Sequence, residues 1–321
     1  MSETTFSSNR RRTGGKRSDT LRILLIGGTG FLSSKILSDA VALGHHVTYM
    51  TRGQRPRNTD ISARHITADR DSTALREVFG AERFDAVIDS VCRTAEHARQ
   101  AVGLAQGGRL LMVSTEYVYH PSHRRLRQSE DDAVYSEFDD YGGNKRRAEL
   151  EVLSAHRAGA VSAIIVRPPH IYGPGSNPGT IPMHGRKRHL LDDIASGKTL
   201  RLLQGGLCLI HPIYRDDFAG IILKLIDRPE AYGEAINCSG PQLMTHRSYY
   251  ETLARLIGHP LSIEPFFADD DAERERLGIN RYVAGHRYYD LAKLNRILPD
   301  LDYTPFETGM ERWVRWLQQA S

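Results

Sequence analysis

Cysteine is scarce in this chain, with Cys92, Cys208 and Cys238 the only three among 321 residues. They lie far apart and form no C-x-x-C pair, which excludes a disulfide framework and a cysteine-rich zinc site. His120 and His123 are split by Pro121 and have no third ligand nearby in sequence, so no metal site is expected. No apolar run approaches the roughly eighteen residues that a membrane-spanning helix needs, so no membrane partner is expected. A surplus of basic charge is also missing from the body of the chain. The formal net charge is +4, and residues 1–20 hold Arg10, Arg11, Arg12, Lys16 and Arg17 against only Glu3 and Asp19. The rest is close to neutral, which argues against a folded nucleic-acid surface and against nucleic acid as a partner. Residues 1–20 also lack the apolar core of a secretory signal. They read as a disordered basic leader on a cytoplasmic protein.

What is present begins at Ile23. The run Ile23-Leu24-Leu25-Ile26 has the character of a buried parallel strand, and Gly27-Gly28-Thr29-Gly30 follows it. Phe31, Ile36, Leu37 and Val41 then recur at helical spacing. A strand that turns on glycine into a helix gathers unpaired backbone N–H groups at the positive end of the helix dipole, which suits a pyrophosphate. Gly27 and Gly30 serve the turn and the close approach, and Ser33 takes the place of the usual third glycine.

From Arg22 to Val166 short apolar runs alternate with helical stretches, the signature of βαβ units. Strands are predicted at Ile23–Ile26, Val47–Met50, His65–Thr67, Ala86–Asp89, Leu110–Ser114 and Ala163–Val166, with helices over 31–43, 72–79, 94–105 and 142–157. The fold class is therefore α/β: a Rossmann-like, doubly wound parallel sheet with a smaller, partly helical C-terminal lobe. Residues 21–176 form the dinucleotide-binding domain, with 206–242 returning to it. Residues 177–205 and 243–321 form the substrate lobe, with helices over 192–196, 216–226, 247–257, 289–297 and 308–317.

Several side chains in this frame carry chemistry. At the end of the second strand Thr51 and Arg52 stand where an NAD site commonly holds an acid for the ribose 2′-hydroxyl. Arg52, with Arg55 and Arg57 nearby, favours the 2′-phosphate of NADP over NAD. Asp69, after the third strand, suits the adenine amino group or a helix cap. Tyr141 and Lys145 are four residues apart on one helix, so phenol and ammonium project from the same face. A neighbouring cation favours phenolate, which suits proton transfer to or from an alcohol or carbonyl oxygen. A second such pair, Tyr289 and Lys293, falls in the C-terminal lobe and reads as packing. Thr115, at the carboxyl end of the fifth strand, can align the reacting oxygen.

The ordered set G-x-x-G-x-x-S (27–33), S-T-x-x-V-Y (114–119), Y-x-x-x-K (141–145) and R-P-x-x-I-Y-G-P-G (167–175) resembles the extended short-chain dehydrogenase/reductases. More narrowly, it resembles their NAD(P)-dependent epimerase/dehydratase group. The likeness runs from about Arg22 to the C-terminus, including Asp290-Leu291-Ala292-Lys293. It implies Thr115, Tyr141 and Lys145 as the hydroxyl, acid/base and cofactor-ribose residues. It implies cofactor contacts at Gly27, Gly30, Phe31 and Leu32 in the turn, and at Arg52, Asp69, Ser90 and Pro168 at the strand ends. In the sugar dehydratases of this group an acid follows the catalytic threonine, so Glu116 is a candidate to protonate a leaving hydroxyl, with Tyr117 beside it. Tyr117, His170, His211 and Arg215 are candidates to line the substrate cleft. Leu209 and Ile210 occupy the place where many nucleotide-sugar enzymes carry a basic pair, which counts against a nucleotide diphosphate.

The resulting expectation is an NAD(P)-dependent enzyme acting on a secondary alcohol or ketone of a sugar-like or nucleoside-like small molecule. Redox-neutral epimerisation or dehydration through a transient ketone is the first reading. Reduction by external NADPH is the alternative, and Arg52 leans toward it. The resemblance also makes a homodimer possible. The pattern Ile236-Asn237-Cys238-Ser239-Gly240, with Thr245, resembles plant chloroplast stem-loop RNA-binding relatives, which keeps open a non-catalytic RNA-binding or redox-sensing protein. The complete Thr115, Tyr141 and Lys145 set argues against that class.

Overall fold

The computed structural model describes residues 20–180, 187–268 and 270–320; the leader read at residues 1–20 lies outside them except for Thr20. Seven strands form one parallel sheet. They are β1 (Arg22–Ile26), β2 (His46–Thr51), β3 (Arg64–Thr67), β4 (Ala86–Asp89), β5 (Arg109–Val113), β6 (Ser162–Arg167) and an edge strand Ala235–Asn237. From that edge strand the order runs β6, β5, β4, β1, β2, β3. The chain leaves β3 at one edge and re-enters at β4, so its direction of winding reverses between β1 and β4. The crevice at the carboxyl ends of those two strands is where an open α/β sheet binds its ligand.

The central strands are buried on both faces, as a parallel sheet covered by helices requires, while the edge strand β3 is only partly covered. Ile23 and Leu25 point into a core beneath α1 (Phe31–Ala42), while Leu24 and Ile26 point into one beneath α3 (Ala95–Ala105). Between these helices lies the short α2 (Leu75–Phe79), and α4 (Tyr141–Arg157) packs beside α3. Helix α2 starts three residues later than its expected position. The Asp69 carbonyl instead accepts from the N–H groups of Ser72 and Thr73, making a turn.

A third apolar core joins α5 (Leu190–Ala195), α7 (His246–Leu256) and the C-terminal helix Phe306–Ala320, centred on Tyr249, Tyr250 and the fully buried Trp313. Helix α6 (Arg215–Leu225) packs on α1, and the edge strand that follows it pairs with β6. The helix expected over 289–297 is shorter, Ala292–Ile297. Asp290 accepts from the Ala292 N–H at 2.9 Å, which forms a turn and leaves Tyr289 outside the helix. Among the described residues no helix is long and apolar enough to cross a membrane.

Candidate active site

The glycine turn sits at the switch point. Gly27 and Gly28 adopt φ values of +117° and +136°, and a Cβ on Gly28 would stand 2.5 Å from the Tyr49 ring. Side chains are thus excluded twice over, by conformation and by space. Ser90, after β4, donates to the Ile26 carbonyl at 2.8 Å and closes the other side of the crevice. The Gly30 N–H donates to Ser33 Oγ at 3.0 Å, and α1 carries no acid in its first turn. The helix therefore presents its positive end without internal compensation.

A cleft of about 280 Å³ runs from this turn past Met50 and Arg52 to Asp69. The glycine backbone, with Arg55 Nη1 close to Gly30 and Arg52 further along the lining, fits the pyrophosphate and ribose of a dinucleotide. Asp69 lines this cleft while its carboxylate accepts from the Asp71 N–H at 3.1 Å, a turn bond six residues before α2 begins. Arg70 lies alongside but is committed to structure, with Asp89 at 2.8 Å and the His97 carbonyl at 2.6 Å. Phe31 is the first residue of α1, and half-buried Leu32 packs into the core beneath the sheet. Arg215, a substrate-cleft candidate from the sequence, lies at this end of the molecule. As the first residue of α6 it is carried to α1, where it donates to Asp216 at 2.7 Å and to the Pro174 carbonyl, 5.9 Å from the Phe31 ring centre.

Helix α4 supplies the second half of the site. Asp140 caps it by accepting from the Gly143 N–H at 3.1 Å, which makes Tyr141 the first helical residue. Gly142 and Gly143 let the helix start against the chain, since a Cβ on Gly142 would meet the Tyr117 carbonyl and the Tyr282 ring. Tyr141 is 49% exposed, whereas Lys145 is 2% exposed and donates to the carbonyls of Cys92 (2.7 Å) and Val113. One turn further, Glu149 is fully buried. It accepts from Ser114 Oγ at 2.6 Å and from Arg167 at 2.7 and 2.9 Å. Burial opposes ionisation of Glu149, but Arg167, Ser114 and Arg146 hold its carboxyl below the ordinary range. Tyr141, Lys145 and Glu149 repeat every four residues, so the bond to Ser114 ties the α4 register to the residue before Thr115.

Thr115 Oγ accepts from the Tyr117 N–H at 3.3 Å and caps a short turn, Glu116–Val118. Glu116 then points into the protein. It is 2% exposed, accepts from Arg287 Nη1 at 2.7 Å and from the Tyr289 hydroxyl, and its N–H donates to the Pro168 carbonyl at 3.1 Å. Tyr289, read as packing, is thus also a hydrogen-bond donor to a candidate site residue. Tyr117 stacks on Tyr282 with ring centres 4.9 Å apart and meets Tyr141 edge-on at 6.1 Å. Burial pushes the Tyr117 phenol up, so it stays protonated at neutral pH.

His211 is buried behind Glu116. Desolvation lowers its pKa to about 4, so the ring is neutral, and Nδ1 accepts from the Tyr289 N–H at 3.4 Å. His170 lies 3.3 Å from the Tyr249 hydroxyl. The residues that sequence reasoning missed are Arg287, Tyr282 and the Glu149–Arg167 pair. Arg287 meets Glu116 across 171 residues of chain, a separation that no local spacing signals.

A family model for the NAD dependent epimerase/dehydratase family matches residues 23–239. The chain belongs to that family. This family member is 25% identical over 306 residues to the 2′-dehydrokanamycin reductase of Streptomyces kanamyceticus, covering 93% of this chain and 85% of that one. It is 26% identical over 255 residues to the chloroplast stem-loop binding protein of 41 kDa b of Arabidopsis thaliana, covering 74% and 64%. The crystal structure of dTDP-glucose 4,6-dehydratase from Bacillus anthracis in complex with NAD superposes with a TM-score of 0.75 at 17% identity, over 94% of this chain and 97% of that one. Fold and family together make this chain an NAD(P)-dependent enzyme of the extended short-chain dehydrogenase/reductase type.

Proposed function

We propose that this chain is an NADPH-dependent ketoreductase acting on a carbonyl of a sugar-like small molecule. The observation that carries this reading is the state of Glu116. Loss of a hydroxyl needs a carboxylic acid free to deliver a proton, and Glu116 is already engaged by Arg287 and Tyr289. Its neighbour Tyr117 is a phenol held in its protonated form. Reduction asks less of the site. Tyr141 delivers a proton to the carbonyl oxygen, and Thr115 donates a hydrogen bond that orients that oxygen. Lys145, on the same helix as Tyr141, is anchored on the carbonyl oxygens of Cys92 and Val113, the latter at the end of the strand that leads to Thr115.

When bound, the nicotinamide supplies the hydride that reaches the carbonyl carbon. Gly27, Gly28 and Gly30 would hold its pyrophosphate, and Arg52 and Arg55 the adenosine 2′-phosphate. The reductase among the relatives supports the same direction of reaction.

The test is to denature purified protein, identify any released nucleotide by mass spectrometry, and follow NADPH and NADH oxidation against a panel of keto-sugars. An empty site with stoichiometric conversion of NADPH and ketone to NADP⁺ and alcohol supports the proposal. Tightly retained oxidised dinucleotide with no net NADPH consumption would return the redox-neutral epimerase to first place. Binding of neither dinucleotide would overturn both and favour a binding protein.

A further inference from the structure

Arg287 is 1% exposed, and only one of its three nitrogens has a partner among the described residues. Nη1 donates to Glu116, while Nε and Nη2 are shielded from solvent and have no partner among the described residues. In a guanidinium Nε–H and Nη2–H lie side by side on one edge, forming a planar fork matched to two oxygens. A complete, buried, unused fork is uncommon, because shielded donors are nearly always satisfied.

A second unused group lies next to it. His246 is buried, its Nδ1 lies 2.6 Å from the Thr180 hydroxyl, and its Nε2 has no partner among the described residues. The two residues flank one piece of backbone: the His246 N–H donates to the Cys208 carbonyl at 3.1 Å, and the Arg287 N–H to the Leu209 carbonyl at 2.8 Å. Arg287 and His246 therefore stand at the strand where Leu209 and Ile210 replace a basic pair.

Charge decides what the fork can accept. Glu116 already neutralises Arg287, and it takes a further hydrogen bond from Tyr289. His246 is neutral, since burial and the neighbouring guanidinium push its pKa far down. The pair offers directed hydrogen-bonding groups with little net charge, which suits uncharged oxygens over a phosphate or carboxylate.

We infer that the Nε/Nη2 edge of Arg287, with His246 Nε2 beside it, binds two adjacent uncharged oxygens of the substrate, a vicinal diol or an α-hydroxyketone on a sugar ring. Arg287 is then a specificity-determining residue. Through Glu116 it is anchored next to Thr115, so it selects which carbonyl of the ring reaches Tyr141. This inference rests on the reading of the site as one for a sugar-like ketone.

The experiment is binding, not turnover: calorimetry of the full chain loaded with NADP⁺, using methyl α-D-glucopyranoside, its monodeoxy analogues and the corresponding uronate. Wild type should bind the parent glycoside, and two analogues lacking adjacent hydroxyls should bind about tenfold more weakly or worse. In Arg287→Lys, which keeps the charge opposite Glu116 but lacks the fork, the difference between parent and those analogues should shrink to within about twofold. Should that variant fail to fold, His246→Gln and the wild-type analogue series carry the test.

Equal binding of all analogues, no binding of the parent, unchanged discrimination in the variants, or tighter binding of the uronate would each overturn the inference. A chain that discriminates among the analogues yet never oxidises NADPH would lose the ketoreductase reading alone.

Discussion

Glu149 on α4 and Arg167 at the end of β6 meet through two charge-assisted hydrogen bonds of 2.9 and 2.7 Å, with both side chains withdrawn from water. The same carboxylate accepts from Ser114, the residue before Thr115. One buried ion pair therefore sets the helix that carries Tyr141 and Lys145 against the strand that carries Thr115. Geometry held this way is worth more to catalysis than the pair is to stability, since buried ion pairs recover little beyond their desolvation cost.

Glu149→Gln leaves Arg167 buried without its counter-charge, and the expected loss of stability is about 3–5 kcal/mol. The sign with pH follows from the lowered carboxyl pKa. Glu149 contributes stability that is present above the unfolded value of roughly 4.3 and is lost as pH falls through the lower folded value. Urea unfolding of wild type and variant at several pH values checks both. A constant difference between them on crossing that window would show that Glu149 does not titrate as described.

Tyr141→Phe removes the proposed proton donor while sparing the cleft. Turnover should fall by about 10²–10⁴-fold, and dinucleotide affinity should stay within about twofold of wild type. Stopped-flow single-turnover rates and a fluorescence titration measure the two separately. Activity that survives the substitution would move the proton transfer to another group.

Arg52 and Arg55 line the cleft, Arg55 beside Gly30. If they receive the 2′-phosphate, the double variant Arg52→Ala/Arg55→Ala should lose about 10–100-fold in kcat/KM for NADPH and little for NADH. Equal losses for both nucleotides would place these side chains outside 2′-phosphate recognition.

Gly28→Ala meets a backbone at φ +136° and a ring 2.5 Å from the new methyl. A destabilisation of about 1–3 kcal/mol is expected, with weaker dinucleotide binding because the turn itself must shift. Thermal unfolding with and without NADPH gives both values. A variant as stable as wild type would mean that Tyr49 yields freely and the turn is less tightly confined.

Much of this protein is legible along its chain, and the reason is local. The turn at Gly27 to Gly30, the strands on either side of it and the Tyr141/Lys145 spacing all arise from residues within a few positions of one another. Periodicity and backbone freedom report such features directly. Arg215 shows the opposite case. As the first residue of α6 it is carried by that helix's packing on α1 and stands beside the glycine turn, a position that no local spacing signals. Tyr289 could not be read as a partner of Glu116 either, because 173 residues separate them.

The sequence by itself determined the class of fold and the place of the glycine turn, and its helical spacing paired Tyr141 with Lys145. These are matters of hydrophobic period, glycine and helical spacing. Only the tertiary structure decided what Glu116 can do. A carboxylate after a threonine at a strand end is a free acid in one fold and a buried counter-ion in another, and the difference lies in Arg287, which reaches it from the far end of the chain. Charge, burial and hydrogen-bond occupancy belong to neighbours in space, and no spacing rule within a single segment contains them.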